Sequence, residues 1–355
     1  MGLDAKDAII FQQLEVIREM TQNNLRRVGQ DLWGRPSQDS AGPSGAVGDG
    51  VSAGDRHAVD TPEAGRAEDA AQPAEAEQPP ERIEDLKAEL AGYIGLERVK
   101  KEVGDLIDLA AVHKLRRENG LPEMDLSLHM VFSGNPGTGK TMIARLMARV
   151  YRSLGLLSKG QLVEVDRSGL VAGYVGQTAI KTQEAVDKAL GGVLFIDEAY
   201  ALTQRRGEND FGQEAVDTLL KAMEDHREDL VVIAAGYEAL MKGFVSSNPG
   251  LASRFNRFIH FPDYTPQEML AIFEMQCAKG CYTLEEGARQ AAAAHLERKG
   301  GDAAAFGNAR GVRNLMERIL VSQANRLAAL DKVDKQALMT ITQADVEAAL
   351  RQEEG

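Results

Sequence analysis

The sequence predicts an α/β fold: a parallel-sheet domain followed by a small all-helical domain, with an N-terminal helix carried on a disordered linker. Three observations lead there. Short apolar runs alternate with helical stretches between residues 82 and 262, the pattern of a parallel sheet covered by helices on both faces. A glycine-rich turn from Gly134 to Thr141 sits between one of those runs and a helix. After Asp263 the strand signals mostly vanish and only helical periodicity continues.

From the N-terminus, residues 4–33 have helix-forming composition, with Ile10, Leu14, Ile17, Leu25, Val28 and Leu32 spaced to share one face. Between Gly34 and Pro80 there is no Leu, Ile, Met, Phe, Tyr or Trp, so the segment lacks core-forming side chains. Three arginines against nine acids there make it an extended acidic linker. A helix on such a tether is placed to dock on another protein, with Trp33 as an anchor. Next come a helical stretch at 82–118, a strand at 128–133, a helix from Lys140, a strand at Leu162–Val165 and a helix at 178–190. Strands at 193–196 and 230–235 follow. Thr265-Pro266-Gln267-Glu268 supplies an N-cap, a proline at the first helical position and a glutamate at the third, a capping box that opens a new helix. Helical patterns recur at 285–299, 311–330 and 342–351, the last opened by Thr342 with Asp345 three residues on. The expected divisions are therefore 1–33, 34–80, a nucleotide-binding domain at 81–262 and a helical domain at 263–355.

Composition narrows the function classes. The 355 residues suffice for about two ordinary domains. With 41 Lys and Arg against 54 Asp and Glu the formal charge is −13, which argues against a general nucleic-acid binder or a membrane-surface protein held by bulk charge. Two cysteines cannot build a disulfide framework and fit a reducing, cytoplasmic setting. They stand four apart, Cys277 and Cys281, with no second Cys or His pair nearby, so they read as thiols rather than metal ligands. No apolar run approaches the roughly 18 residues of a membrane span, and Asp4, Asp7 and a three-residue apolar run do not make a signal peptide.

The chemistry concentrates at two places. Gly134-Asn135-Pro136-Gly137-Thr138-Gly139-Lys140-Thr141 matches the P-loop pattern GxxxxGK[ST]. Its glycines, Gly137 and Gly139 with Pro136 and Thr138 between and before them, let backbone N–H groups and the helix start point at a β-phosphate. Lys140 reaches the β- and γ-phosphates, and the Thr141 hydroxyl ligates Mg²⁺. At 193–198, an apolar strand delivers two carboxylates: Asp197 to complete the Mg²⁺ shell and Glu198 to orient and deprotonate the attacking water.

From about residue 81 to 351 the chain resembles an AAA+ ATPase of the CbxX/CfxQ group, which includes the red-type Rubisco activase and stage V sporulation protein K. The resemblance is carried by Tyr93-Ile94-Gly95-Leu96-Glu97-Arg98-Val99-Lys100, the strand ending in Asp197-Glu198-Ala199-Tyr200, Phe211-Gly212-Gln213-Glu214-Ala215, Ala235-Gly236-Tyr237 and Phe261-Pro262-Asp263-Tyr264. It implies that Ile94 and Gly95 flank the adenine and that the helical domain is a lid over the nucleotide. It further implies that Arg254, with Arg257 as the alternative, is an arginine finger reaching the γ-phosphate bound by a neighbouring subunit. Arg313 would be the second sensor, with Arg310 sharing its contact or pairing with an acid. Many members end the fourth core strand in Thr-Asn where this chain has Gly236-Tyr237, so Tyr237 has two readings, a hydrogen bond toward the γ-phosphate or packing. Gly173-Tyr174-Val175-Gly176 resembles the aromatic pore loop, in which Tyr174 and Val175 grip a peptide. The expected protein is thus a Mg²⁺-dependent ATPase, assembled as a hexameric ring, that remodels or threads a protein substrate and is recruited through residues 4–33. The alternative is a nucleotide-gated scaffold in which hydrolysis is a timer.

Overall fold

The structure, a computed structural model, describes residues 80–122, 127–174, 176–204, 210–330 and 332–354. The expected docking helix at 4–33 and the linker through residue 79 lie outside them. Five strands form one sheet: β1 (Met130–Gly134), β2 (Leu162–Val165), β3 (Gly192–Ile196), β4 (Leu230–Gly236) and β5 (Arg257–Phe261). Their order is β2-β3-β4-β1-β5, and every pairing is parallel. Parallel strands must be rejoined by crossovers, and here helices supply them on both faces.

The two-residue period of a strand divides the core. Met130 and Phe132, Val193 and Phe195, and Val231, Ile233 and Ala235 face one apolar cluster. Val131, Leu194, Ile196, Leu230, Val232 and Ala234 face the other. Because both faces are covered, the central strands read as unbroken apolar runs, which is why they were visible in the sequence. The first cluster is closed by α1 (Ile83–Gly92), α2 (Glu97–Glu118) and α3 (Lys140–Ser153), the second by α5 (Gln177–Ala189), α6 (Gly212–Asp225) and α7 (Glu238–Ser246). Two short helices, α4 (Arg167–Leu170) and α8 (Pro249–Arg254), fill connections. The edge strand β5 has a mixed pattern, with Phe258 exposed between Arg257 and buried Ile259, and its apolar signal is correspondingly weak.

The second part contains α9 (Pro266–Lys279), β6 (Thr283–Leu284), α10 (Glu286–Lys299), α11 (Ala303–Phe306), α12 (Asn308–Ala328), α13 (Lys335–Met339), β7 (Thr340–Ile341) and α14 (Gln343–Glu354). The capping box is present: Glu268 N donates to Thr265 Oγ1 at 3.2 Å, and Thr265 N donates to Glu268 Oε2 at 2.7 Å. A second reciprocal cap joins Thr342 and Asp345, whose carboxylate also takes both arms of Arg326 at 2.8 and 2.9 Å. Met269, Phe273, Leu296, Val312 and Ile319 continue the first core cluster, so the helical domain and the sheet share one apolar body.

Two expectations are corrected. The stretch expected as one helix at 82–118 is two, because Gly95 (φ 62) and Leu96 (φ 60) take left-handed backbone that a helix cannot continue through. The helix expected at 311–330 starts earlier, at Asn308, after Gly307 with φ 92.

Candidate functional site

Parallel strands aim their C-terminal ends at one rim, and the two phosphate-type motifs both lie there. β1 ends in Gly134, and the loop enters the 14-residue helix α3 at Lys140. Gly134, Gly137 and Gly139 have φ of 150, 74 and 95, values that L side chains resist. A Cβ on Gly134 would overlap the Phe261 carbonyl, and one on Gly137 would overlap the Gly307 carbonyl and lie 3.2 Å from Arg310 Cβ. Thr138, fully buried, braces the turn by donating to Asn135 O at 2.8 Å. The Lys140 ammonium donates to Gly134 O at 2.8 Å and Asn135 O at 2.7 Å. Burial lowers its pKa to about 8, with Asp197 pulling the other way.

β3 delivers the carboxylates beside this loop. Asp197 N donates to Val165 O at 2.8 Å, pinning the strand end to β2, and Asp197 Oδ1 accepts from Glu198 N at 3.0 Å. Glu198 has φ 48, a strained conformation for a non-glycine residue, and it is exposed. The chain turns at once into a 3₁₀ helix at Ala199–Leu202, so adjacent carboxylates point apart. Tyr200 is buried beside Glu198, and burial followed by the Glu198 charge pushes its phenol up to about 12. The ring of Tyr237 lies 6.1 Å from that of Tyr200. Gly236 is required here, because a Cβ would meet the Tyr200 ring at 2.7 Å. Tyr237 therefore packs against Tyr200, the buried neighbour of Glu198.

Glu164 is a neighbour that the sequence reading did not single out. Thr141 Oγ1 lies 3.5 Å from its Oε1, and desolvation raises its pKa, with Arg145 opposing and Asp197 adding. A lone carboxylate inside the apolar run of β2 was the available signal.

The turn at Ile94 and Gly95 borders the same rim. Ile94 packs on the main cluster, and a Cβ on Gly95 would meet Tyr264 at 3.3 Å and overlap the Glu268 carboxylate. A Cβ on Gly139 would lie 3.5 Å from both Leu96 Cδ1 and Tyr264 OH, which joins that turn, the P-loop and the start of the helical domain.

The arginines are distributed differently from expectation. Because α12 starts at Asn308, Arg310 sits in its first turn, against Gly137 and near enough to Lys140 to oppose its charge. Arg313 lies one turn further and pairs with Glu317 at 2.9 Å. Arg254 is remote from the rim. β5 runs parallel to β1 with Arg257 opposite Met130 and Phe261 opposite Gly134, so the start of β5 is about 13 Å from the P-loop end. Arg254 pairs with Glu224 at 2.8 Å, and its buried Nε has no hydrogen-bond partner among the described residues. Arg257 Nε donates to Ser127 O at 3.4 Å.

Tyr174 is 73% exposed, between Gly173 and Gly176, neither of which has a neighbour within reach of an added Cβ. Val175 lies outside the described residues. Cys277 is buried, its Sγ 3.8 Å from Met316 Sδ, and burial pushes its thiol up to about 12. Cys281 is exposed, and among the described residues no three His, Cys, Asp or Glu side chains gather as a metal cluster. No helix among them is long and apolar enough to cross a membrane.

Comparison with known proteins agrees with this geometry. The profile of the ATPase family associated with various cellular activities (AAA) matches residues 130–263, and that of the AAA lid domain matches residues 265–355. The chain is 43% identical over 268 residues to the chloroplastic ribulose bisphosphate carboxylase/oxygenase activase of Cyanidioschyzon merolae, covering 75% of this chain and 90% of that one. It is 45% identical to plasmid CbxX of Cupriavidus necator, covering 74% and 84%, and 41% identical to stage V sporulation protein K of Bacillus subtilis, covering 74% and 82%. A solved RuvB variant of Thermotoga maritima shares the fold at 19% identity, with a TM-score of 0.50 over 74% of this chain and 72% of that one. The two family models together span residues 130–355 and the relatives are more than 40% identical over about three quarters of the chain, and the chain belongs to the AAA+ ATPases, in the group of CbxX, CfxQ and the Rubisco activase, as an ATP hydrolase.

Proposed function

We propose that this ATPase assembles into a ring, a hexamer, and uses ATP hydrolysis to pull on a protein substrate gripped by Tyr174 and Val175. The observation that carries this reading is the 73% exposure of Tyr174 on a loop whose flanking glycines, Gly173 and Gly176, leave it uncrowded and free to meet a substrate. ATP lies along the P-loop with its phosphates at Gly137, Thr138, Gly139 and Lys140, after Pro136, and its adenine at Ile94 and Gly95. The Thr141 hydroxyl and the Asp197 carboxylate are hard oxygen donors at one rim and suit Mg²⁺. When bound, Mg²⁺ offsets charge on the β- and γ-phosphate oxygens. Glu198 takes a proton from the attacking water as its oxygen bonds to the γ-phosphorus, and ADP leaves with the bridging oxygen's electron pair. Arg310 takes the second-sensor role first expected of Arg313, because it is the arginine seated on the P-loop turn.

Arg254 serves the site of the adjacent subunit, since its own P-loop is at the other end of β5. Such a finger is worth on the order of 10³ to 10⁵ in rate in well-studied NTPases. Residues 4–33 recruit the partner, and the substrate is a protein, as the activase relative's name gives an enzyme, ribulose bisphosphate carboxylase/oxygenase, as its own target. The setting is the cytoplasm.

The test is Tyr174→Ala. Basal turnover stays within a few-fold, on the order of 1 kcal/mol of barrier, while substrate-stimulated turnover and remodelling disappear. Remodelling that ignores Tyr174 but is lost on deletion of residues 4–33 replaces threading with the scaffold reading.

A further inference from the structure

Three segments far apart in sequence meet at one buried asparagine. Asn308, fully buried, has φ 54, which asparagine tolerates better than most residues. Its side chain is used in full. Oδ1 accepts from Tyr264 N at 2.9 Å, and Nδ2 donates to Asp263 Oδ1 at 2.8 Å and to Pro136 O at 3.3 Å. Asp263 in turn accepts from Asn135 Nδ2 at both oxygens, 3.0 and 2.9 Å. Beside them Ala309 N donates to Gly137 O at 3.2 Å. The P-loop, the 263–264 connection between the two domains and the first turn of α12 are thereby tied by side chains and backbone into one network.

We propose that Asp263 and Asn308 are positioning residues for nucleotide binding and hydrolysis, forming with Asn135 a hydrogen-bonded strut that fixes the first turn of α12 on the P-loop. The strut acts in two directions. It holds Arg310 against the Gly137 turn, and it ties the angle of the helical domain to P-loop carbonyls at Pro136 and Gly137. A shift of the P-loop around phosphate then moves the helical domain through short hydrogen bonds instead of a slack connection. Asp263 also lends negative charge near Lys140, whose ammonium it favours. The bonds form a chain in which each member holds the next, so loss of one partner leaves a buried polar group unpaired.

The inference rests on the P-loop being the nucleotide site, and Lys140→Ala tests that separately. Binding of a fluorescent ADP analogue to the full chain, and the rise in Tm caused by ADP, read out the strut. Asn308→Gly keeps the left-handed backbone and removes the side chain, and weakens ADP about tenfold, as loss of a hydrogen bond to a charged group does. Asn308→Asp sets two carboxylates against each other and weakens it at least as much. Combining Asn308→Asp with Asp263→Asn restores donor facing acceptor between positions 263 and 308 and recovers part of the affinity lost in Asn308→Asp, the Pro136 carbonyl still lacking its donor. As a control for mere loosening of the helical domain, Arg326→Met breaks the Asp345 pair, lowers Tm and leaves the ADP-induced rise intact. Should Asn308→Asp not fold, Asp263→Asn at an exposed, nearly isosteric position still weakens ADP several-fold. The strut is overturned if Asn308→Gly or Asp263→Asn binds ADP like wild type while Lys140→Ala does not. It is equally overturned if the paired swap is as weak as Asn308→Asp, or if the strut variants lower Tm without shrinking the ADP-induced rise. Wild-type ADP binding by Lys140→Ala would instead remove the P-loop assignment itself.

Discussion

The seam between P-loop and helical domain and the far edge of the sheet around Arg254 differ in completeness. At the seam Lys140, Asn135, Asp263, Asn308 and Thr138 all find partners within one chain. At the edge Arg254 pairs with the exposed Glu224 and its buried Nε has no hydrogen-bond partner among the described residues, while Tyr174, on the loop that follows β2 at the opposite edge, stands in solvent. A polar group buried without a partner costs about 1–3 kcal/mol, a cost that a neighbouring subunit meeting Arg254 would relieve. The seam needs only nucleotide. The comparison therefore divides the proposed machine into a cradle built within each subunit and contacts lent between subunits or to substrate.

The largest effects belong to the cradle. Glu198→Gln is expected to lower turnover by at least about a hundredfold, the usual worth of a general base, while ATP stays bound. Lys140→Ala is expected to lose nucleotide binding altogether. Wild-type turnover in Glu198→Gln, measured as phosphate release at saturating ATP, would break the cradle assignment.

A smaller effect is pH-dependent and sharpens it. Burial depresses the Lys140 ammonium to about 8. Phosphate binding needs the charged form, so as pH rises through about 8 the protein must take up a proton to bind. Nucleotide Kd is expected to be flat below pH 8 and to climb above it, toward about tenfold per pH unit. The edge predicts no such dependence, and a Kd constant from pH 7 to 9.5 would show that burial does not depress the Lys140 ammonium in this way.

The smallest effect on nucleotide handling comes from His129, next to β1. It accepts from Val232 N at 3.0 Å, and burial lowers its pKa to about 4 from 6.5. The unfolded chain binds this proton at a higher pH than the folded one, so the group's contribution is lost as pH falls from about 6.5 to about 4. The loss amounts to about 3 kcal/mol at most. Urea unfolding at pH 7 and 5 should show it, with ADP affinity per folded molecule unchanged; an equal loss in His129→Leu would assign the acid sensitivity elsewhere.

Much of the fold was legible in the sequence because strands buried on both faces have no choice but unbroken apolar runs, as at 193–196 and 230–235. The P-loop and Asp197-Glu198 were legible because their chemistry is local: each needs only neighbours in sequence. What was not legible depends on backbone handedness or on long-range contact. Nothing in helical periodicity says that Leu96 and Asn308 take positive φ, so the break after Gly92 and the early start of α12 were missed. Asn135, Asp263 and Asn308 are separated by 128 and 45 residues, and three ordinary polar residues announce no network until folding brings them together. Glu164 is similar: its place beside Thr141 is set by β2 lying next to β3.

The central claim, that each site is finished by a second subunit, is tested most directly by mixing two inactive variants. Lys140→Ala lacks a cradle but keeps its finger, and Arg254→Ala keeps a cradle and lacks the finger. In a ring of head-to-tail contacts, random coassembly at equal amounts pairs an intact P-loop with an intact finger at about a quarter of the interfaces. Turnover in the mixture should therefore rise to about a quarter of the wild-type rate, although each variant alone is inactive and Arg254→Ala binds ATP normally. Coassembled rings with no turnover above that of the separate variants would contradict a shared site.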